Sequence, residues 1–237
     1  MAEQSKAHAK FCELVYGKNL CQHGMADMMQ IGEMIKLMDL NSKDKILDLG
    51  CGNGLITEYL GNYLGAKITG VDISEATIAR ANIRVKNNPN VRFEVGDISN
   101  LNYPPASFTK IIAIDSHYFV DDFRSFLLCL LKILTPKGKI GIFSDEGLGI
   151  EGQDERALEA HETLIGKVLY ELNLKYSALN LTESNRLHWR LKEKVLSELK
   201  EEFMNEGSMF LFNNRLEECT ATDRDLNCRF LFVIEKD

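Results

Sequence analysis

The chain has 237 residues, enough for one large domain that buries its core without disulfides or metals. Hydrophobic residues make up 45% and charged residues 27%, with only 4 prolines and 17 glycines, which fits an ordinary globular protein and argues against long disordered linkers. The net charge of −7 argues against a nucleic-acid partner, whose phosphates require a basic face, and no apolar run reaches the length of a membrane span.

The opening "MAEQSKAHAKF" lacks the apolar centre of a signal peptide, and the six cysteines contain no C-x-x-C pair. Both features point to a cytoplasmic protein with reduced thiols and no zinc site. Residues 1–40 read as helical, with Met28, Ile31, Ile35 and Met38 at helical spacing. "KILDLG" is then a buried strand, followed by a glycine turn and a helix through "LITEYLGNYLG". "AKITGVDIS" is a second strand ending at Asp72, with Ser74 as N-cap of the next helix. "VRFEVGDI" and "FTKIIAID" supply strands three and four, a helix is expected over 122–134, and "TPKGKIGIFS" gives strand five. This alternation predicts a doubly wound α/β fold, a mostly parallel sheet with helices on both faces. Beyond residue 144 come a glycine-rich loop, helical stretches over 155–174 and 183–206, and two closing strands, "SMFLFNNRLEECTAT" and "NCRFLFVIEK". In the second helix Leu187, Leu191, Val195, Leu199 and Phe203 form one apolar stripe.

The stretch "KILDLGCGNGLI" carries most of the functional information. A phosphate-binding P-loop needs Gly-x-x-x-x-Gly-Lys-Ser/Thr, and no such lysine is present. The dinucleotide fingerprint Gly-x-Gly-x-x-Gly is also broken, because Gly50, Gly52 and Gly54 alternate and Leu55 stands where the last glycine belongs. Asp48 just before the turn suits a positively charged ligand group better than a pyrophosphate.

"ILDLGCGNG" closely resembles the first motif of class I S-adenosylmethionine-dependent methyltransferases, and the resemblance runs over 45–144 with further motifs in the family's order. It implies a seven-stranded Rossmann-like sheet with an antiparallel C-terminal strand, N-terminal helices and a helical insert before the last two strands. The organisation expected is one methyltransferase domain over 1–237, comprising a lid (1–40), a cofactor-binding core (41–144), the insert (145–206) and a closing strand pair (207–237). S-adenosylmethionine is the implied cofactor. Asp48 and the loop residues Gly50, Cys51, Gly52, Asn53 and Gly54 would hold its methionine end. Asp72 would accept from both ribose hydroxyls, Ile73 would lie on the adenine, and Asp97 and Ile98 of "GDI" would meet the adenine edge. "LTPKGKI" matches the family's turn before strand five, except that Lys137 replaces a glycine.

Methyl transfer from a sulfonium is an in-line displacement, so the acceptor side need only align the nucleophile and keep it unprotonated. Asp115, Ser116, His117 and Tyr118 after strand four fall where the family often places such residues. Asp115 is assigned to the cofactor side and His117 is the candidate base, with Tyr16 and His23 as lid residues. His161, Tyr170, Tyr176, His188 and Trp189 of the insert are further pocket candidates. The acids Asp115, Asp121, Asp122, Asp145 and Glu146 lean the acceptor towards an amine. The expected function is methyl transfer to a small molecule by a monomer or homodimer, with no metal, membrane or nucleic-acid partner. The alternatives are a protein or RNA methyltransferase and a non-catalytic cofactor sensor.

Overall fold

The computed structural model describes residues 2–22, 24–147, 158–220 and 227–237. Strands β1 (Lys45–Leu49), β2 (Lys67–Asp72), β3 (Val91–Val95), β4 (Phe108–Ile114), β5 (Leu134–Gly147), β6 (Lys175–Asn180) and β7 (Asn227–Glu235) form a single seven-stranded sheet of order β3-β2-β1-β4-β5-β7-β6. Strands β1 to β5 pair in parallel, and β7 runs antiparallel between β5 and β6. This is the doubly wound sheet expected from the alternation of strand and helix.

Successive strand residues point to opposite faces, and both faces are apolar, as a sheet covered on both sides requires. Leu47, Ile111 and Ile142 pack against Phe126, Leu130 and Ile133 of α5 (Phe123–Ile133) and Ile165 and Leu169 of α6 (Leu164–Glu171). Their neighbours Ile46, Ile112 and Phe143 pack on the other face against Ile31, Met34 and Met38 of α2 (Met28–Leu37) and Leu60 of α3 (Leu55–Leu64). Helix α4 (Glu75–Val85) covers the β3 edge through Ile78, Ala81 and Val85. The N-terminal helix α1 (Lys6–Tyr16) ends at Gly17, whose φ of +81° breaks the helical reading of residues 1–40 in two.

The C-terminal third differs from the sequence expectation in three respects. The stretch 208–222, read as a strand, contains helix α8 (Met209–Thr220), which buries Leu211, Phe212, Arg215 and Cys219 at helical spacing. The aromatic run "MFLF" favours a strand locally, but packing on α7 (Thr182–Glu206) decides the outcome. The penultimate strand is instead β6, in the gap between the two helical stretches expected of the insert, so α7 lies between the last two strands rather than before them. Finally, α7 faces its neighbours differently. Leu187 and Leu191 of the apolar stripe are exposed, while His188, Trp189 and Lys192 are buried among α1, α7 and α8. The Lys192 ammonium lies 3.3 Å from Glu218 and 4.3 Å from the Trp189 ring centroid, so its charge is compensated inside the helical layer.

Lys137, the residue in the glycine position of the turn before β5, adopts a φ of +58° and donates its N–H to the Lys236 carbonyl at 3.0 Å. The turn keeps a glycine-like conformation at a cost of about 1 kcal/mol for a side chain.

Candidate cofactor and active site

Gly50, Gly52 and Gly54 follow β1 with φ of +67°, +55° and +75°, in the left-handed region that glycine enters without steric penalty. The turn is tied to the next strand, because the Gly50 and Cys51 N–H groups donate to the Val71 carbonyl at 2.8 and 3.0 Å. A Cβ on Gly50 would stand 2.5 Å from the Ser116 Cβ, so any side chain there displaces the end of β4. A Cβ on Gly52 would meet nothing within 4 Å, because that position opens into a cleft of about 280 Å³. Asp72, at the end of β2, lines the same cleft and accepts from the N–H groups of Gly52 (2.9 Å) and Ser74 (3.0 Å).

The cleft is also lined by the segment joining α1 to α2, through Leu20, Cys21, Gln22, Gly24 and Ala26. Four contacts fix this segment. Asn53 Nδ2 donates to the Cys21 carbonyl at 3.0 Å, and the Tyr16 hydroxyl donates to the Gly24 carbonyl at 3.1 Å. The N–H groups of Met25 and Ala26 donate to Asp115 Oδ2 at 2.7 and 3.3 Å. Asp115 in turn forms a two-pronged ion pair with the fully buried Arg229 of β7, at 2.7 and 3.2 Å. Burial alone would raise the Asp115 carboxyl, but the guanidinium and the two backbone donors outweigh it and hold the group below the usual carboxylate range.

Of the residues assigned to the cofactor from the sequence, Gly50, Cys51, Gly52, Asn53, Asp72 and Asp115 line this cleft together. The others lie around it. Asp48 is buried behind the turn, where it accepts from the Thr57 hydroxyl at 2.6 Å, and burial pushes its carboxyl up to about 7. Gly54 starts α3, with Phe93 closed against it. Ile73 is 72% exposed beyond Asp72, and Asp97 caps a short turn by accepting from Ser99 N–H at 2.8 Å. Ile98 belongs to the core.

The proposed reacting groups are less well brought together. His23 lies outside the described residues. Tyr16 reaches the cleft only through Gly24, since its ring is buried against His188 at 5.0 Å between centroids. His117 is not among the lining residues. It is buried, its Nε2 lies 3.3 Å from the Ser144 hydroxyl, and desolvation lowers it to about 4, so it stays neutral at physiological pH. His117→Asn is therefore expected to leave the pH profile of turnover unchanged between about pH 6 and 9, which a rate–pH series checks.

The insert candidates also disperse. His161, Tyr170 and Tyr176 line a separate crevice of about 490 Å³ beside α6 and β6, while His188 and Trp189 sit in the helical layer. The acidic cluster is engaged piecemeal: Asp115 by Arg229, Asp122 by Ser125 N–H (3.0 Å), Asp145 by Asn185 (2.9 Å) and Glu146 by Leu164 N–H (3.0 Å). Burial raises Asp145 to about 6. The sequence reading missed Arg229 and Gln30, whose Oε1 accepts from Arg229 Nε at 2.8 Å. The one signal for Arg229 was a lone cation inside the apolar run "NCRFLFVIEK".

Residues 46–138 match the model of a family described as "Methyltransferase domain". That segment contains the glycine turn, Asp72 and Asp115, and the chain is similar to known methyltransferases in both sequence and fold. The chain is 26% identical over 193 residues to 27-O-demethylrifamycin SV methyltransferase of Amycolatopsis mediterranei, covering 73% of this chain and 71% of that one. It is 28% identical over 133 residues to phosphoethanolamine N-methyltransferase of Plasmodium falciparum, covering 55% of this chain and 49% of the relative. Phosphoethanolamine N-methyltransferase 2 of Haemonchus contortus, solved with phosphomonomethylethanolamine and S-adenosylhomocysteine, superposes with a TM-score of 0.78 at 19% identity. That superposition covers 97% of this chain and 57% of the nematode protein, and at such identity it speaks for the fold. Among the described residues, no helix is long and apolar enough to cross a membrane, and no group of three or more His, Cys, Asp or Glu side chains is arranged to hold a metal ion.

Proposed function

We propose that this chain is a methyltransferase that transfers a methyl group from S-adenosylmethionine to a small amine bound in the cleft between the 50–54 turn and residues 20–22 and 24–26. The observation that carries the reading is the Asp72 carboxylate, which lines the cleft beside the open position over Gly52. A carboxylate there repels a pyrophosphate, and its remaining lone pairs suit ribose hydroxyls. When bound, the cofactor supplies a methyl group already activated on a sulfonium. The chain's own task is alignment and exclusion of water, for which the anchored 20–26 segment and the ordered turn are suited.

The amine preference is drawn from the substrates named for the malarial and nematode relatives, since the acidic cluster does not support it: Asp115 is already neutralised by Arg229. The cleft adds a second feature. Tyr118 and Phe119, with ring centroids 4.7 Å apart, line it and are largely exposed, offering an aromatic wall to the body of an acceptor or to a cationic product.

Detection of S-adenosylhomocysteine with a panel of amines, phenols and carboxylic acids, including phosphoethanolamine, tests the reading. Turnover with amines supports it. Turnover only with macromolecular fractions would replace it with a protein or RNA methyltransferase, and tight cofactor binding with no turnover would favour a sensor. Phe119→Ala is expected to raise the acceptor KM about tenfold while leaving cofactor affinity within about twofold, because an exposed aromatic wall contributes about 1–2 kcal/mol to a bound cation or ring.

A further inference from the structure

We infer that Arg229 is a positioning residue for the active site: through Asp115 it sets the placement of the 24–26 segment along the cofactor cleft. The role in catalysis rests on the function proposed above; the anchoring itself does not.

Arg229 sits on β7, opposite Asp145 of β5 in the register, and its side chain runs to the end of β4. The group is fully buried, and its three nitrogens are committed: Nη1 and Nη2 to Asp115, Nε to Gln30 of α2. Among the described residues, the cation paired with Asp115 is Arg229, and Asp115 passes that constraint on to the N–H groups of Met25 and Ala26. Two further observations show how tight this junction is. Asp115 holds a φ of +52°, a left-handed conformation that costs a non-glycine residue about 1–2 kcal/mol and that surrounding contacts must enforce. A Cβ on Gly24 would stand 2.7 Å from Asp115 Oδ2, so the segment lies against the carboxylate with no room for a side chain. Gly24, Ala26 and Asp115 all line the cleft, so a shift in the ion pair becomes a shift in the cleft wall.

The test compares Arg229→Met with the wild-type chain. Without the guanidinium, the Asp115 carboxyl is left desolvated, and it faces His117 and Tyr118 on its own segment, Asp145 on β5 and Tyr16 on α1, none of which supplies a permanent positive charge. Its pKa should rise. At neutral pH the backbone donors of Met25 and Ala26 then lose a charged acceptor. The expected result is faster amide exchange at these two residues and a cofactor KM raised about tenfold or more, with a smaller change in kcat. The KM defect should shrink as the pH is raised and Asp115 ionises again, a pH dependence that loss of stability alone does not produce. Asp115→Asn should show a comparable KM defect that does not vary with pH. Should Arg229→Met fail to fold, Gly24→Ala probes the same junction from outside the core, and the same exchange at Met25 and Ala26 with a raised cofactor KM is expected.

Unchanged exchange at Met25 and Ala26 in Arg229→Met, or in Gly24→Ala where the former does not fold, would overturn the inference, as would an unchanged KM and pH profile in a folded variant. Amide exchange needs no cofactor. A wild-type chain that neither binds S-adenosylmethionine nor turns over would remove the proposed function, whereas the exchange comparison would still decide the anchoring.

Discussion

Asp72→Ala is expected to weaken binding of S-adenosylhomocysteine by roughly 10²- to 10⁴-fold, with the fold retained. If the carboxylate receives two ribose hydroxyls, each hydrogen bond to a charged acceptor is worth about 1.5–3 kcal/mol, so losing both costs on the order of 3–6 kcal/mol. A second loss acts through the turn. Asp72 accepts from Gly52 N–H and Ser74 N–H, so its removal also loosens Gly52, while the Gly50 and Cys51 bonds to Val71 still tie the turn to β2. Asp72→Asn separates the two, because its one remaining carbonyl oxygen accepts from fewer donors while the side chain keeps its size. The expected order of affinity is wild type, then Asn, then Ala. Calorimetric titration checks it, and an Ala variant within threefold of wild type would remove the ribose assignment.

The turn and Asp72 were legible in the sequence because their geometry is local. Glycines at alternate positions after an apolar strand call for left-handed backbone, and an acid closing the next strand lies at the carboxyl end of a parallel sheet, where open α/β folds bind their ligands. The central helices were legible for a similar reason: their apolar positions face a sheet that takes apolar residues on both sides. Elsewhere, distant contacts decide the structure. Asp115 and Arg229 are 114 residues apart, and nothing near Asp115 announces that its charge is already balanced. An acid in that setting reads as a pocket anion, although its charge is spent on Arg229.

The C-terminal third was obscured by a different cause. Strand β6 is an edge strand with no residue fully buried, so its alternation is faint. Helix α7 buries Lys192 and His188 where an apolar stripe is expected, and this is tolerable because Glu218 of α8 and Asp27 of the N-terminal region approach them, at 3.3 and 3.6 Å. Such compensation is a tertiary event, invisible to periodicity. His117 shows the same limit on the chemical side. Its position after β4 suits a base, but the fold turns it towards Ser144 rather than into the cleft.

Asp48 should make the protein less stable as the pH rises through neutrality. Its carboxyl is moved from 3.8 to about 7, chiefly by burial, with Asp72 adding to the rise and the Thr57 hydrogen bond opposing it. A carboxyl raised on folding binds its proton more tightly in the native state than in the unfolded one. The associated stability is therefore fully present below the unfolded value near pH 4 and is lost as the pH climbs through about 7, a change on the order of 4 kcal/mol for a displacement of about three pH units. Asp48→Asn removes the titration but keeps an oxygen to accept from Thr57. It is expected to match the wild type near pH 4 and to exceed it in melting temperature near pH 8 by several degrees. Parallel melting curves for the two proteins across that range would show that Asp48 does not titrate there. The same variant addresses the cofactor. A carboxylate in contact with the ammonium of S-adenosylmethionine would lose its proton on binding, and its removal would cost affinity at least tenfold. Asp48 instead lies behind the turn, bonded to Thr57 and outside the cleft lining, so Asp48→Asn should bind the cofactor within about threefold of wild type near pH 6.5, with the carboxyl acting on the site through the conformation of the 50–54 turn.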